Sequence, residues 1–148
     1  MKRDPSLASL SRDHYQALFI AQKLRRATSD TAEEIREALL EFWEGDGRAH
    51  FRLEEEVLLP AYAAHGDPYD RLVAHVLCDH VAIRHRIDVL TRRPGSTLVD
   101  LHELGVQLAA HIRLEERELF PLIESTMPAE QLVALAGALE RAESSADE

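Results

Sequence analysis

Apolar residues recur along this chain in steps of three and four, the repeat of one face of an α-helix, and a few polar residues stand inside that repeat. The pattern predicts a first helix over about residues 7–26, on the seam Leu7, Leu10, His14, Ala17/Leu18, Ala21 and Leu24. Thr28-Ser29-Asp30 supplies a break and a cap, and a second helix follows from about Thr31 to Ala64. Its seam is Ile35, Leu39, Phe42/Trp43, His50, Leu53/Glu54 and Val57. The seam keeps its phase across Gly45-Asp46-Gly47, which predicts one helix weakened or bent there. Pro60 is expected to kink its last turns. His65-Gly66-Asp67-Pro68 reads as a stop and a new start, with Gly66 as C′ and Pro68 near N1.

The third helix takes about Pro68 to Arg92, on Leu72, Val76, His80, Ile83, Ile87 and Leu90. Arg93-Pro94-Gly95-Ser96 is a predicted turn, with Ser96 or Thr97 capping a fourth helix that runs to about Ser125. That helix uses Leu98, Leu101, Leu104, Leu108, His111, Glu115, Leu119 and Leu122. Met127-Pro128-Ala129-Glu130 opens a shorter fifth helix to about Arg141, and the small, acidic tail from Ala142 to Glu148 is expected to be disordered. No β pattern occurs. The expected fold is all-α: one domain over 1–148, an antiparallel up-down-up-down four-helix bundle with a short C-terminal helix.

Six of the seam positions are polar: His14, His50, Glu54, His80, His111 and Glu115. Buried without partners, such groups lose several kcal/mol of hydration. Either they satisfy one another through hydrogen bonds or they share metal, and six of them spread over four helices favour metal. Their spacing supports this. His50 and Glu54, like His111 and Glu115, stand four residues apart, so imidazole and carboxylate leave one face of a helix one turn apart. The two motifs, His-Phe-Arg-Leu-Glu and His-Ile-Arg-Leu-Glu, lie 61 residues apart, and each has a proline six residues past its glutamate. Each also has an upstream Asp-His pair, Asp13-His14 and Asp79-His80. The chain therefore reads as a duplicated unit with a pseudo-twofold axis.

Four imidazoles and two carboxylates exceed the tetrahedral need of one zinc. They suit iron or manganese, and bridging carboxylates suit two ions about 3.5–4 Å apart. Diiron bundles of the ferritin type use Glu-x-x-His, and no glutamate stands three residues before any of the eight histidines here.

Composition narrows the partners. Seventeen basic against 27 acidic residues give a formal charge of −10, which argues against a nucleic-acid backbone as partner. The N-terminal stretch lacks the apolar run of a signal peptide, and no stretch approaches the roughly 20 apolar residues of a membrane span. Cys78 is alone, so no internal disulfide forms, and the cytoplasm is the expected compartment.

The order His, His-x-x-x-Glu, His, His-x-x-x-Glu, carried by His14, His50 with Glu54, His80, and His111 with Glu115, resembles the hemerythrin family, in particular the bacterial hemerythrin-like HHE domains. The resemblance spans about residues 10–125. It implies an antiparallel four-helix bundle around two iron ions joined by an oxo or hydroxo bridge, with both glutamates bridging. Manganese or zinc would be substitutes. It also implies a small diatomic ligand or peroxide as partner, since family members carry or sense oxygen, respond to nitric oxide, handle iron or decompose peroxide. One departure stands out. Oxygen-carrying hemerythrins place a second histidine four residues along the third helix and end on His-x-x-x-x-Asp; here those places hold Arg84 and His-x-x-x-Glu. His85, about 140° from His80 around the helix, is expected to face away. Counting ligands on two octahedral ions then leaves about one open position on each, an arrangement suited to reacting with oxygen, peroxide or nitric oxide.

Other residues read more plainly. Glu55 and Glu116 are expected as solvated charges, pairing with Arg52 and Arg113, and Asp13 and Asp79 as helix-surface charges. His65, His75, His85 and His102 are expected at surface or boundary positions, where any of them can orient a ligand. Tyr15 and Tyr62 are within reach of a pocket, though ordinary positions suit them better. Phe42 and Trp43 are expected in the core, and Cys78 as a small buried hydrophobe. The expected protein is a non-haem diiron protein, monomer or homodimer, that binds or reacts with oxygen, nitric oxide or peroxide. An iron-handling or stress-response module without turnover and a peroxidase- or catalase-like enzyme are the alternatives. A purely structural bundle is a third possibility.

Overall fold

In the computed structural model, which describes residues 2–92 and 97–146, five helical stretches follow one another and no strand occurs among the described residues. A 3₁₀ turn, Pro5–Leu7, leads into α1 (Ala8–Arg25). Helix α2 covers residues 32–63, α3 is Arg71–Arg92, α4 covers residues 98–126, and α5 is Ala129–Ala146. The first four pack side by side in the cyclic order α1, α2, α3, α4, with α4 returning against α1. Neighbours are antiparallel: Arg3, ahead of α1, bonds Glu124 near the end of α4, while Arg86 late in α3 bonds Glu103 early in α4.

The second helix forms as one run, as its seam predicts, but three α-helical pieces in it are joined by two wide π-turns, Trp43–Gly47 and Glu54–Leu58. A third π-turn, Glu115–Leu119, sits in α4. The later two lie immediately before Pro60 and Pro121. Proline has no N–H for the helix and crowds the carbonyl four residues back. The wide turn absorbs that misfit, since Leu59 and Phe120 donate their N–H groups five residues back, to the carbonyls of Glu54 and Glu115. The expected kink at Pro60 therefore takes the form of a wide turn on its N-terminal side. The extra residue also moves the seam: Leu58 and Leu59 take the core position expected of Val57, and Ile123 that of Leu122.

At the ends, Thr97 and Asp100 form a reciprocal capping box at the start of α4, one of the two caps expected. The turn predicted at 93–96 lies outside the described residues. Pro68 precedes α3 by three residues instead of opening it. Gly66 lies past the end of α2, where its N–H reaches the Tyr62 carbonyl at 2.8 Å.

The tail corrects the sequence reading. Helix α5 continues past Arg141 to Ala146, where Ala142, Glu143 and Ser145 face α1 and α2 across a groove. Tertiary packing supplies what composition alone does not. Its apolar side, Leu132, Leu135 and Leu139, covers one end of the bundle.

Two apolar cores result, one at each end. One gathers Leu24, Leu39, Ile87, Leu90, Leu101 and Leu104; the other gathers Leu10, Leu58, Val76, Leu119, Phe120 and Ile123. Between them lies a belt of polar side chains. Helices α1 and α4 approach closely at Gly105, where an added Cβ would fall 2.7 Å from the Ala21 carbonyl oxygen.

Candidate metal centre

All six polar seam residues meet in that belt. His14, His50, Glu54, His80, His111 and Glu115 are buried, the most exposed being His50 at 8% and the glutamates at 0%. They fall into two overlapping groups, His14, His50, Glu54, Glu115 and Glu54, His80, His111, Glu115, whose ligand atoms lie within 4.8 Å of one another. Each half of the chain thus provides both imidazoles of one group, and both groups share both carboxylates. The halves match closely. His14 and His50 rings are 4.9 Å apart at 62°, and His80 and His111 rings 5.0 Å apart at 65°.

Each imidazole is held from behind by a carboxylate on a neighbouring helix. Asp13 of α1 takes His50 Nδ1 at 3.0 Å, and Glu55 of α2 takes His80 Nδ1 at 2.7 Å. Asp79 of α3 takes His111 Nδ1 at 3.0 Å, and Glu116 of α4 takes His14 Nδ1 at 2.9 Å. The four bonds close a ring around the bundle. Its sense follows from the helix geometry. Adjacent residues on a helix point about 100° apart, so a residue next to an inward ligand faces the neighbouring helix. In α1 and α3 the partner precedes the ligand; in the oppositely directed α2 and α4 it follows. Reversing the helix reverses the rotation, so all four point the same way round.

This geometry corrects four expectations. Asp13, Asp79, Glu55 and Glu116 are not merely surface charges; each orients a buried imidazole. Glu55 pairs with Arg84 at 3.0 Å instead of with Arg52, whose partner is Glu56. Glu116 pairs with Arg3 at 3.0 Å and with Ser11, while Arg113 is exposed. No periodicity marks Arg3, which lies ahead of the first helix. Arg84, four residues past His80, also lies over the Phe51 and Trp43 rings.

The remaining candidates stay outside. Tyr15 is 75% exposed, and Tyr62 packs in the core capped by α5. His65 and His85 are exposed. His75 approaches Asp79 at 3.5 Å from an exposed position, and His102 donates to the Ala27 carbonyl at 2.8 Å. Cys78 is exposed, not buried as expected; two residues from His80, it points to the outer face of α3.

The inward atoms lack partners. With Nδ1–H given to a carboxylate, each ring turns an Nε2 lone pair inward. Nε2 of all four histidines and both oxygens of Glu54 and of Glu115 are buried without a hydrogen bond. The approaches between them, such as His111 Nε2 to Glu115 Oε1 at 2.7 Å, lack hydrogen-bond alignment. Eight acceptors facing one another call for cations, metal or protons. Burial alone would pull His111 down, but the carboxylates of Glu115 and Asp79 outweigh it and raise its pKa to about 10. Against the same burial, Glu54 and Asp13 hold His50 well above its ordinary value. Burial and the neighbouring Glu54 push Glu115 up, whereas the imidazoles, chiefly His50, hold Glu54 well down against its own burial. Protons thus take the place that metal would fill.

Beside the belt is a cavity of about 20 Å³, bordered by His14, His50, His111 and Glu115 and otherwise mostly by apolar side chains. His80 is shut off from it: the Phe51 ring stacks on the imidazole at 3.9 Å and 4°.

Fold and site together define an all-α protein with a buried histidine–glutamate cluster suited to a cation. A family model, the hemerythrin HHE cation binding domain, matches residues 6–123. The chain belongs to that family, and its cluster marks it as a metal-binding helical protein. Searches of curated proteins and of solved structures gave no significant match. No helix among the described residues is long and apolar enough to cross a membrane.

Proposed function

We propose that this protein is a non-haem diiron protein that binds or reacts with a small ligand, oxygen, nitric oxide or peroxide, at its histidine–glutamate centre. The observation carrying this reading is the set of eight inward acceptor atoms without a donor, arranged as two groups of four residues with both carboxylates in common. His14 and His50 would hold one ion, His80 and His111 the other, and Glu54 and Glu115 would bridge. Imidazole with carboxylate is a donor set that iron accepts readily. When bound, a pair of irons supplies open positions and redox electrons to a small molecule.

The chain's own residues do the rest. The outer carboxylates fix each imidazole with Nε2 inward, which sets tautomer and orientation and raises ligand basicity. The two apolar cores keep water from the carboxylates. The small cavity gives a diatomic or a peroxide a place next to the centre. Elemental analysis with absorption spectra, before and after air, peroxide and nitric oxide, tests the reading. Two irons per chain and spectra that change with these reagents are expected. A folded protein free of transition metal and equally stable without it would end the proposal. Peroxide-dependent oxygen evolution that disappears in His111→Ala would mark an enzyme, and its absence with ligand binding intact a binding module.

A further inference from the structure

The cavity beside the centre borders an outer groove across two side chains, Trp43 and Ile87. The cavity wall also includes Phe42, Gly47 and Ile83. The groove, of about 430 Å³, is bordered as well by Arg48 and Arg84. Trp43 is 6% and Ile87 3% exposed, and the indole is the larger part of this partition. The ring is gripped from outside by two guanidinium groups, Arg84 at 5.4 Å and Arg48 at 5.8 Å from its centre, a cation–π arrangement. On another side Phe51 meets it edge-on at 5.3 Å. The π-turn Trp43–Gly47 makes room for this packing. A Cβ on Gly47 would fall 2.7 Å from the Phe42 ring and 3.1 Å from the Trp43 ring, so both rings rest against bare backbone.

We infer that Trp43 is a specificity-determining residue: its indole admits a neutral diatomic to the cavity beside the metal centre and bars larger molecules. The inference rests on the diiron reading for what the diatomic then meets. A cavity of about 20 Å³ accommodates one small guest, and an apolar wall favours a guest without strong hydration. The cavity's other rim, at Asp13, Asp46 and His50, faces a second groove of about 670 Å³. That rim is the competing route: it presents Asp13, Asp46 and His50 to a guest, where the other wall presents the Trp43 indole and Ile87.

The test uses the full chain in two states. For the metal-free protein, xenon and benzene are titrated and followed by xenon NMR and by thermal stability. Wild type is expected to take xenon and refuse benzene, and Trp43→Ala to take both. For the ferrous protein, association of nitric oxide is timed by stopped flow. Trp43→Phe should speed it about tenfold, and Arg48→Ala, which frees one face of the indole, severalfold; Asp46→Asn should leave it unchanged. Rates unmoved by Trp43→Phe and Arg48→Ala, or moved only by Asp46→Asn, would overturn the inference, as would benzene uptake by wild type. Should Trp43→Ala fail to fold, Trp43→Phe and Arg48→Ala decide. If no iron can be loaded, the diiron proposal falls, and the xenon and benzene titrations still decide the role of Trp43.

Discussion

Asp79 illustrates how a single residue acts here at one remove. Its carboxylate takes His111 Nδ1–H and leaves Nε2 facing inward. Truncation in Asp79→Ala leaves that ring free to turn and to change tautomer. Affinity for ferrous iron, measured by competition with a chelator, is expected to fall about 10- to 100-fold; unchanged affinity would show that His111 needs no such support. The six inward residues were legible in the sequence because a helix seam is periodic and polar residues on it are conspicuous. The four outer carboxylates were not read correctly, although the doublets Asp13-His14, Glu54-Glu55, Asp79-His80 and Glu115-Glu116 were all visible. A position about 100° from a seam faces solvent on an isolated helix and faces the neighbour in a bundle. Seam analysis treats helices one at a time, so it misses that difference.

At the scale of the element, the π-turns show how proline and a ligand share one helix. Glu54 and Glu115 open wide turns that Pro60 and Pro121 close, a feature often found at functional sites. Helix existence, order and connection were legible from periodicity, but the one-residue shift of the seam beyond each glutamate was not, since it comes from backbone widening. The extent of α5 was also hidden, because the helix is anchored by Leu132, Leu135 and Leu139 in the end core, while its small, acidic last turns carry no apolar seam. Helix contact gives a further prediction. Alanine is a better helix former than glycine, yet Gly105→Ala would drive a methyl group against the Ala21 carbonyl and the Leu24 side chain at 2.7 and 2.9 Å. Unfolding by urea is expected to show a loss of about 1–3 kcal/mol, and a gain in stability would mean that α1 and α4 separate freely.

For the whole molecule, metal and protons compete for one set of lone pairs. In the metal-free protein His111 is raised from an ordinary 6.5 to about 10. A raised histidine stabilises the fold fully below its unfolded pKa and loses that contribution as pH climbs through the folded one. Metal-free protein is therefore expected to lose stability between about pH 6.5 and pH 10. Metal-loaded protein should behave in the opposite sense, weakening toward acid as protons displace the cation. Calorimetry of both forms at pH values across this window checks the claim, and a gap between them that narrows with rising pH would contradict it.

The closed ring of carboxylate–imidazole bonds reaches further than this chain. Within each hairpin one bond is internal, Asp13 to His50 and Asp79 to His111, and one is given to the other hairpin, Glu55 to His80 and Glu116 to His14. Two identical hairpins about a true twofold axis would satisfy every one of those bonds, so the linker between α2 and α3 does not make the arrangement possible. What a covalent tether adds is licence to differ. Phe51 stacks on His80 at 3.9 Å, whereas Ile112, its counterpart after His111, has no ring, and His14 is faced instead by Phe120 of α4 at 5.4 Å and 14°. A self-paired assembly would have to shield both sides alike, whereas a fused one can cover its two halves with different residues at different distances.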